Sequence, residues 1–125
     1  MEELQELRAR LDETDRQIVH LFEERMRLTD AFVTELAEGN KLNLLFYDGE
    51  LLYVHTNMEG TLYSLSIGGG LCFATAPLEG TEGWQPVPMQ RLLCCRAGEI
   101  CYEGARHPHL YVPGSEERYG WVWKH

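Results

Sequence analysis

The chain has 125 residues, of which 44% are hydrophobic and 25% charged, and this composition fits one globular domain and excludes a disordered or fibrous chain. The formal net charge of -9 argues against nucleic acid and anionic membranes as partners, because binding to either depends on Lys and Arg. No apolar run approaches the roughly 18 residues of a membrane span, and the first residues are acidic where a signal peptide is basic, so we expect a cytoplasmic protein.

Residues 1–38 are predicted to form one long amphipathic helix. Neither Gly nor Pro interrupts them, and Leu, Glu, Arg, Gln and Ala, which favour helices, dominate. Alternating steps of three and four residues define a heptad seam, in which Thr14 and Arg25 are the polar members. The apolar members of the seam are Leu4, Leu7, Leu11, Ile18, Leu21, Leu28 and Phe32. We predict that this seam is the contact surface of a homodimer, the partner that we expect.

Residues 39–125 are predicted to form a mostly antiparallel β-sheet of about six strands, so the fold class is α+β. The pair Gly39-Asn40 should end the helix, because Gly tolerates the left-handed conformation of a helix terminus. Asp48-Gly49 and Ala97-Gly98 are predicted to form tight hairpin turns. The predicted strands are 41–47, 50–56, 61–67, 71–76, 91–96 and 99–103, with a short last strand at 119–123.

Several predicted strands are apolar on both faces. Leu42, Leu44 and Phe46 alternate with Leu45 and Tyr47. A sheet that is exposed to water on one side would show polar residues at every second position, so both sides should be covered. One helix can cover only one side. We therefore expect the second layer to come from outside the chain, most simply from a symmetric copy.

The helix resembles the first helix of the all-helical chorismate mutases. The similarity covers Leu4 to Leu28, with an early Arg, an Ile/Leu-Asp-x-x-Asp centre and a Glu-Arg-x-x-Leu end. The resemblance implies an intertwined dimer in which Arg8 and Arg25 bind the carboxylates of chorismate, with cations assisting the rearrangement. Leu36 stands where that family has an essential Lys, and the two later helices have no counterpart, so we expect no complete mutase site.

The β-region resembles the C-terminal half of class II glutamine amidotransferases. Matching segments occur in order at 41–55, 74–78, 83–88 and 92–99. The resemblance implies strands from one sheet of a two-sheet sandwich, in a family whose nucleophile is a Cys directly after the initiator Met. Glu2 holds that position here, and the Asn-Gly and Gly-Asp pairs of that family's active site do not occur in this sequence. The resemblance therefore implies the supporting half of the fold without glutaminase activity.

Three functions remain open on sequence grounds. The preferred one is a non-catalytic, self-associating domain that dimerises through its helix. The first alternative is a minimal chorismate mutase built from paired helices with Arg8 and Arg25, and the second is a glutamine amidotransferase. Either a natural truncation or a chimera of two enzymes would explain the arrangement.

The remaining chemistry-bearing side chains favour structural roles, and no cofactor or metal is expected. The four cysteines, Cys72, Cys94, Cys95 and Cys101, lie in strand-like segments, which predicts reduced, buried thiols. Three of them, with His107 and His109, could be taken for a zinc site, but adjacent cysteines on a strand point to opposite faces. His107-Pro108-His109 is predicted to form a turn in a mobile tail, and His20 and His55 to lie on the surface. Arg25 should pair with an acidic residue of a neighbouring helix or bind a carboxylate ligand.

Overall fold

A computed structural model describes residues 2–113 as one long helix followed by two antiparallel sheets, which confirms the predicted α+β class. The predicted strand at 119–123 lies outside the described residues. The helix, α1, spans Glu2–Ala37. The strands are β1 (Leu44–Tyr47), β2 (Leu52–His55), β3 (Tyr63–Ile67), β4 (Gly70–Ala74), β5 (Gln85–Pro86), β6 (Leu93–Arg96) and β7 (Glu99–Glu103).

Helix α1 is 36 residues long and ends where the sequence predicts. At 1.5 Å per residue it measures about 54 Å. Gly39 follows it with φ of 72°, the left-handed conformation expected at a helix terminus. The Asn40 side chain donates a hydrogen bond to the carbonyl of Leu36 at 3.0 Å and satisfies one acceptor of the last turn. No helix within residues 2–113 has the length and apolar character that crossing a bilayer requires.

The strands form a four-stranded sheet of order β1-β2-β6-β7 and a three-stranded sheet of order β4-β3-β5. The predicted turn at Ala97-Gly98 is confirmed, because Arg96 pairs with Glu99 and both turn residues have positive φ. Pairing of β2 with β6 sets Val54 opposite Leu93 and joins the two halves of the β-region.

The predicted turn at Asp48-Gly49 is longer than expected. Tyr47 pairs with Leu52, so four residues rather than two connect β1 to β2. The Asp48 carboxylate accepts hydrogen bonds from the amides of Glu50 at 3.0 Å and Leu51 at 2.8 Å. These two hydrogen bonds to one carboxylate hold the four-residue turn closed. A two-residue turn could not contain them.

Both faces of the four-stranded sheet are covered at its centre by the chain itself, so the expectation of an external second layer is wrong there. On one face, Met26 and Val33 of α1 pack against Tyr53, Leu92 and Cys94. On the other face, the second sheet and its loops cover β2 and β6 through a cluster of Val54, Leu62, Val87, Leu93 and Cys95. Alternate residues of β2 and β6 therefore face two different cores, which explains why these strands are apolar on both sides.

The edge strand β1 keeps part of its apolar surface exposed. Leu45, Tyr47 and Phe46 have exposed fractions of 49%, 63% and 55%. The excess apolar surface that the sequence indicates is thus real, but it lies at this edge and on the helix rather than across the whole sheet.

Asn57 is the centre of a buried polar hub behind β1. Its side-chain amide donates to the carbonyls of Asn40 at 2.7 Å and His109 at 3.0 Å, and its side-chain oxygen accepts from the amide of Leu42 at 2.8 Å. Its backbone carbonyl accepts from the amide of Tyr111. One fully buried residue thus connects the helix end, the approach to β1 and the segment after β7.

Two histidines belong to the same hub, contrary to the sequence expectation for both. His55 is fully buried rather than superficial, and His107 is buried rather than part of a mobile tail. Their Nε2 atoms lie 2.9 Å apart, and Nδ1 of His55 lies 2.8 Å from the carbonyl oxygen of Leu42. Gln90 holds His107 through two hydrogen bonds to its backbone. His20, by contrast, is exposed as predicted.

Candidate functional site

Helix α1 has two halves with different surroundings. Every residue from 2 to 21 is exposed, so this half projects from the β-region without burying any side chain. The second half packs on the sheet through Phe22, Met26, Val33 and Ala37. At 1.5 Å per residue, the projecting half is about 30 Å long.

The seam is not the face that the helix uses for its own core. Phe32 and the buried Val33 are consecutive and therefore lie about 100° apart around the helix. Leu21, Leu28 and Phe32 remain 62%, 63% and 62% exposed, and the seam residues closer to the N-terminus are similarly exposed. The structure thus brings all seven apolar members of the predicted seam onto one open face, flanking the core-facing row.

An apolar groove of about 330 Å³ continues the seam where α1 meets the edge strand β1. The helix supplies one wall, and β1 with the nearby Leu42 and Tyr53 supplies the other. Phe32 belongs to both the seam and the groove, so the two surfaces are contiguous. The apolar side chains that line the groove are Phe32, Val33, Leu36, Leu42, Leu44 and Phe46.

Arg25 lies at the mouth of the groove and is engaged in an ion pair. Its guanidinium donates to Oδ2 of Asp48 at 3.0 Å, and the hydroxyl of Tyr53 lies 3.5 Å from the same oxygen. The amides of Leu51 and Glu50 hold the pKa of Asp48 below its usual value, with a smaller contribution from Arg25. The acidic partner thus comes from the β1–β2 turn rather than from a neighbouring helix.

Arg8 and Arg25 are not brought together within one chain. They are 17 residues apart on a straight helix, which corresponds to about 25 Å. Arg8 belongs to the exposed projecting half, and Arg25 is already paired. A single protomer therefore holds no pocket in which both arginines could contact one dicarboxylate.

A larger open cavity of about 530 Å³ lies on the opposite flank of α1 and is lined mostly by charged and polar residues. Asp30, Arg106 and His107 are among its lining residues. Oδ2 of Asp30 accepts the Tyr102 hydroxyl at 3.0 Å, and Arg106 donates to Gln90 at 3.0 Å. Asp30 and Arg106 are thus engaged in contacts that join α1 and the segment after β7 to the rest of the fold.

The cysteines are free, but only two of the four are buried. Cys94 and Cys95 lie in the two cores, whereas Cys72 and Cys101 are exposed, which corrects the prediction for those two. Burial raises the pKa of Cys94 to about 12, so this thiol is protonated and inert at neutral pH. Within residues 2–113, the structure contains no group of three or more His, Cys, Asp and Glu side chains able to hold a metal ion.

Comparisons with protein-family models, with curated proteins and with solved structures found no match for this chain. The resemblances to chorismate mutases and to glutamine amidotransferases therefore stay predictions. The candidate site rests on the geometry of the exposed seam and the adjoining groove. Sequence periodicity found the seam, but it missed the groove, because the position of β1 beside Phe32 depends on tertiary packing. The signal that could have indicated the groove was the alternation of Leu42, Leu44 and Phe46, which places three apolar side chains on one face of β1 and the residues just before it.

Proposed function

We propose that this chain is a non-catalytic, self-associating domain that dimerises through the seam of α1. The observation that carries the proposal is the exposure of all seven apolar seam residues in a helix whose first half buries no side chain against the described residues. Contiguous apolar surface of this kind on a folded chain is typical of a protein interface. A heptad seam is also self-complementary, which is what a two-fold symmetric contact requires.

The energetics of the projecting half support the same proposal. Isolated helices of fewer than about 12–15 residues are marginal in water, and longer ones gain most of their stability from tertiary packing. Residues 2–21 have no such packing against the rest of residues 2–113. Pairing with a second helix would supply the missing apolar contacts and stabilise this half of α1.

The test compares two single substitutions on adjacent residues of the same helical turn. Leu21→Glu places a charge on the seam, and His20→Glu adds the same charge off the seam, about 100° around the helix from Leu21, where the side chain is also exposed. Losing two buried Leu side chains per dimer, each worth about 1.5–3 kcal/mol, should weaken association at least about 100-fold. The His20→Glu variant should associate like the parent.

Light scattering coupled to chromatography, and sedimentation equilibrium, measure the outcome directly. A parent chain that stays monomeric at tens of micromolar would refute the proposal, and so would equal weakening by both substitutions. The folded protomer should tolerate Leu21→Ala and Leu28→Ala with changes of about 0.5 kcal/mol or less, as exposed positions do. The 2–5 kcal/mol expected for a buried seam should appear only in the free energy of the associated state.

A further inference from the structure

The two polar residues of the seam are placed symmetrically in the helix. α1 runs from Glu2 to Ala37, so its midpoint falls between Val19 and His20. Thr14 and Arg25 lie at equal distances on either side of this midpoint. If two copies of α1 were to pair antiparallel about their midpoints, the Thr14 of each copy would face the Arg25 of the other.

We infer that the dimer is antiparallel in this register, an inference that rests on the proposed self-association. Every apolar seam residue from Leu7 to Phe32 then faces an apolar seam residue of the partner. Leu7 faces the partner's Phe32, Leu11 faces Leu28, and Ile18 faces Leu21. Within this span the polar positions Thr14 and Arg25 meet only each other, and at each end of the contact one Glu35 faces the partner's Leu4 rather than a second carboxylate.

A parallel dimer in register would be less favourable along the same seam. It would set Arg25 against its own copy and would likewise set Glu35, the next position of the heptad, against Glu35. The parallel dimer would gain ion pairs between the two helices beside the seam, of Glu3 with the partner's Arg8 and of Arg10 with the partner's Asp15. Exposed pairs of this kind contribute little to stability, whereas two layers of like charge oppose pairing within the seam itself.

The antiparallel register also assigns an occupant to the groove. The projecting half of one helix passes beside the second half of the other, so the partner's Leu4 and Leu7 reach the level of Phe32 and Leu36. These side chains would cover the apolar groove and the exposed Phe46 of β1. The groove is open in one protomer and closed by the second copy. Covering β1 also protects an apolar edge strand from uncontrolled pairing.

Disulfide trapping tests this register. In a background in which the exposed Cys72 and Cys101 are replaced by Ser, the chain carries Leu7→Cys and Phe32→Cys together, and each alone as a control. The two positions are about 37 Å apart along one helix, so no bond can form within a protomer. A disulfide needs Cα atoms within about 7 Å. After air oxidation, the double variant should run as a covalent dimer, and both single variants should stay uncrosslinked.

Each alternative gives a different pattern. Covalent dimers of the single variants would indicate parallel pairing and overturn the register. A covalent dimer of Leu4→Cys with Leu28→Cys, but not of Leu7→Cys with Phe32→Cys, would indicate an antiparallel contact shifted by one heptad and would also overturn it. No crosslink in a protein that light scattering shows to be dimeric would place the interface elsewhere. A monomer by light scattering would refute the proposed function itself.

Discussion

Mild acid is expected to destabilise the fold through the buried pair His55 and His107. Their hydrogen bonds assign both as neutral tautomers. Nδ1–H of His55 donates to Leu42, Nε2–H of His107 donates to Nε2 of His55, and Nδ1 of His107 accepts from the amide of His109. Protonating either ring would set one N–H against another, at the contact between the rings or at the His109 amide. The folded state therefore disfavours the additional proton that would convert either neutral imidazole to an imidazolium.

The sign of the effect follows from the pKa values. Burial lowers the pKa of both imidazoles below 6.5, and His55 and His109 lower that of His107 further. The hydrogen bond to the Leu42 carbonyl opposes the shift of His55, and Asp30 opposes both shifts to a smaller extent. The unfolded chain therefore takes up protons first as the pH falls. The contribution of the pair to the free energy of unfolding is fully present above about pH 6.5 and decreases below it by up to about 1.4 kcal/mol per pH unit for each ring, or about 2.8 for the pair.

Urea unfolding at fixed protein concentration, followed by Trp fluorescence between about pH 5 and pH 8, measures this dependence. The matched control is His107→Gln, whose side-chain amide can still donate to His55 but does not titrate. The slope below about pH 6.5 should fall to roughly half in this variant. A free energy of unfolding that does not change between neutral and mildly acidic pH, or a slope that His107→Gln leaves intact, would refute the assignment.

Three further outcomes are expected. Met26→Ala should lower the free energy of unfolding by about 2–5 kcal/mol because Met26 is fully buried between α1 and the sheet. The control Glu23→Ala, at an exposed position, should change it by about 0.5 kcal/mol or less in the same urea titration. Asn57→Ala should cost about 3 kcal/mol or more because it leaves the Leu42 amide and two carbonyls of the hub without their partner; equal stability of variant and parent would exclude the hub as a stabilising element. An aromatic disulfide reagent should modify Cys72 and Cys101 in the folded protein, and the two buried thiols only after urea is added. Release of four equivalents of the aromatic thiol without denaturant would contradict the described burial.

The sequence predicts α1 and the Ala97-Gly98 turn well because their signals are local. The absence of Gly and Pro before Gly39 defines the helix, and positive φ at Ala97 and Gly98 is what a two-residue turn demands. The exposed seam was also visible, since heptad spacing depends only on the helix. These features can be predicted without knowing which distant segments of the chain pack against them.

Features that depend on distant pairing were missed. The strands belong to two sheets because β2 pairs with β6 rather than with β3, and nothing in their similar apolar patterns distinguishes these partners. His55 was expected on the surface, yet it is buried because His107, 52 residues later, supplies its hydrogen-bond partner. The groove was missed for the same reason, since it exists only where β1 reaches Phe32.

The projecting half of α1 has a hydrodynamic consequence. A compact chain of the 112 described residues has a radius of gyration of about 13 Å, whereas α1 alone is about 54 Å long. A rod attached to a small body increases friction far more than mass. A single protomer should thus elute from a sizing column like a larger globular particle, and sedimentation velocity should give it an elongated frictional ratio. In the antiparallel dimer the same rod becomes the shaft of a dumbbell with a β-body at each end.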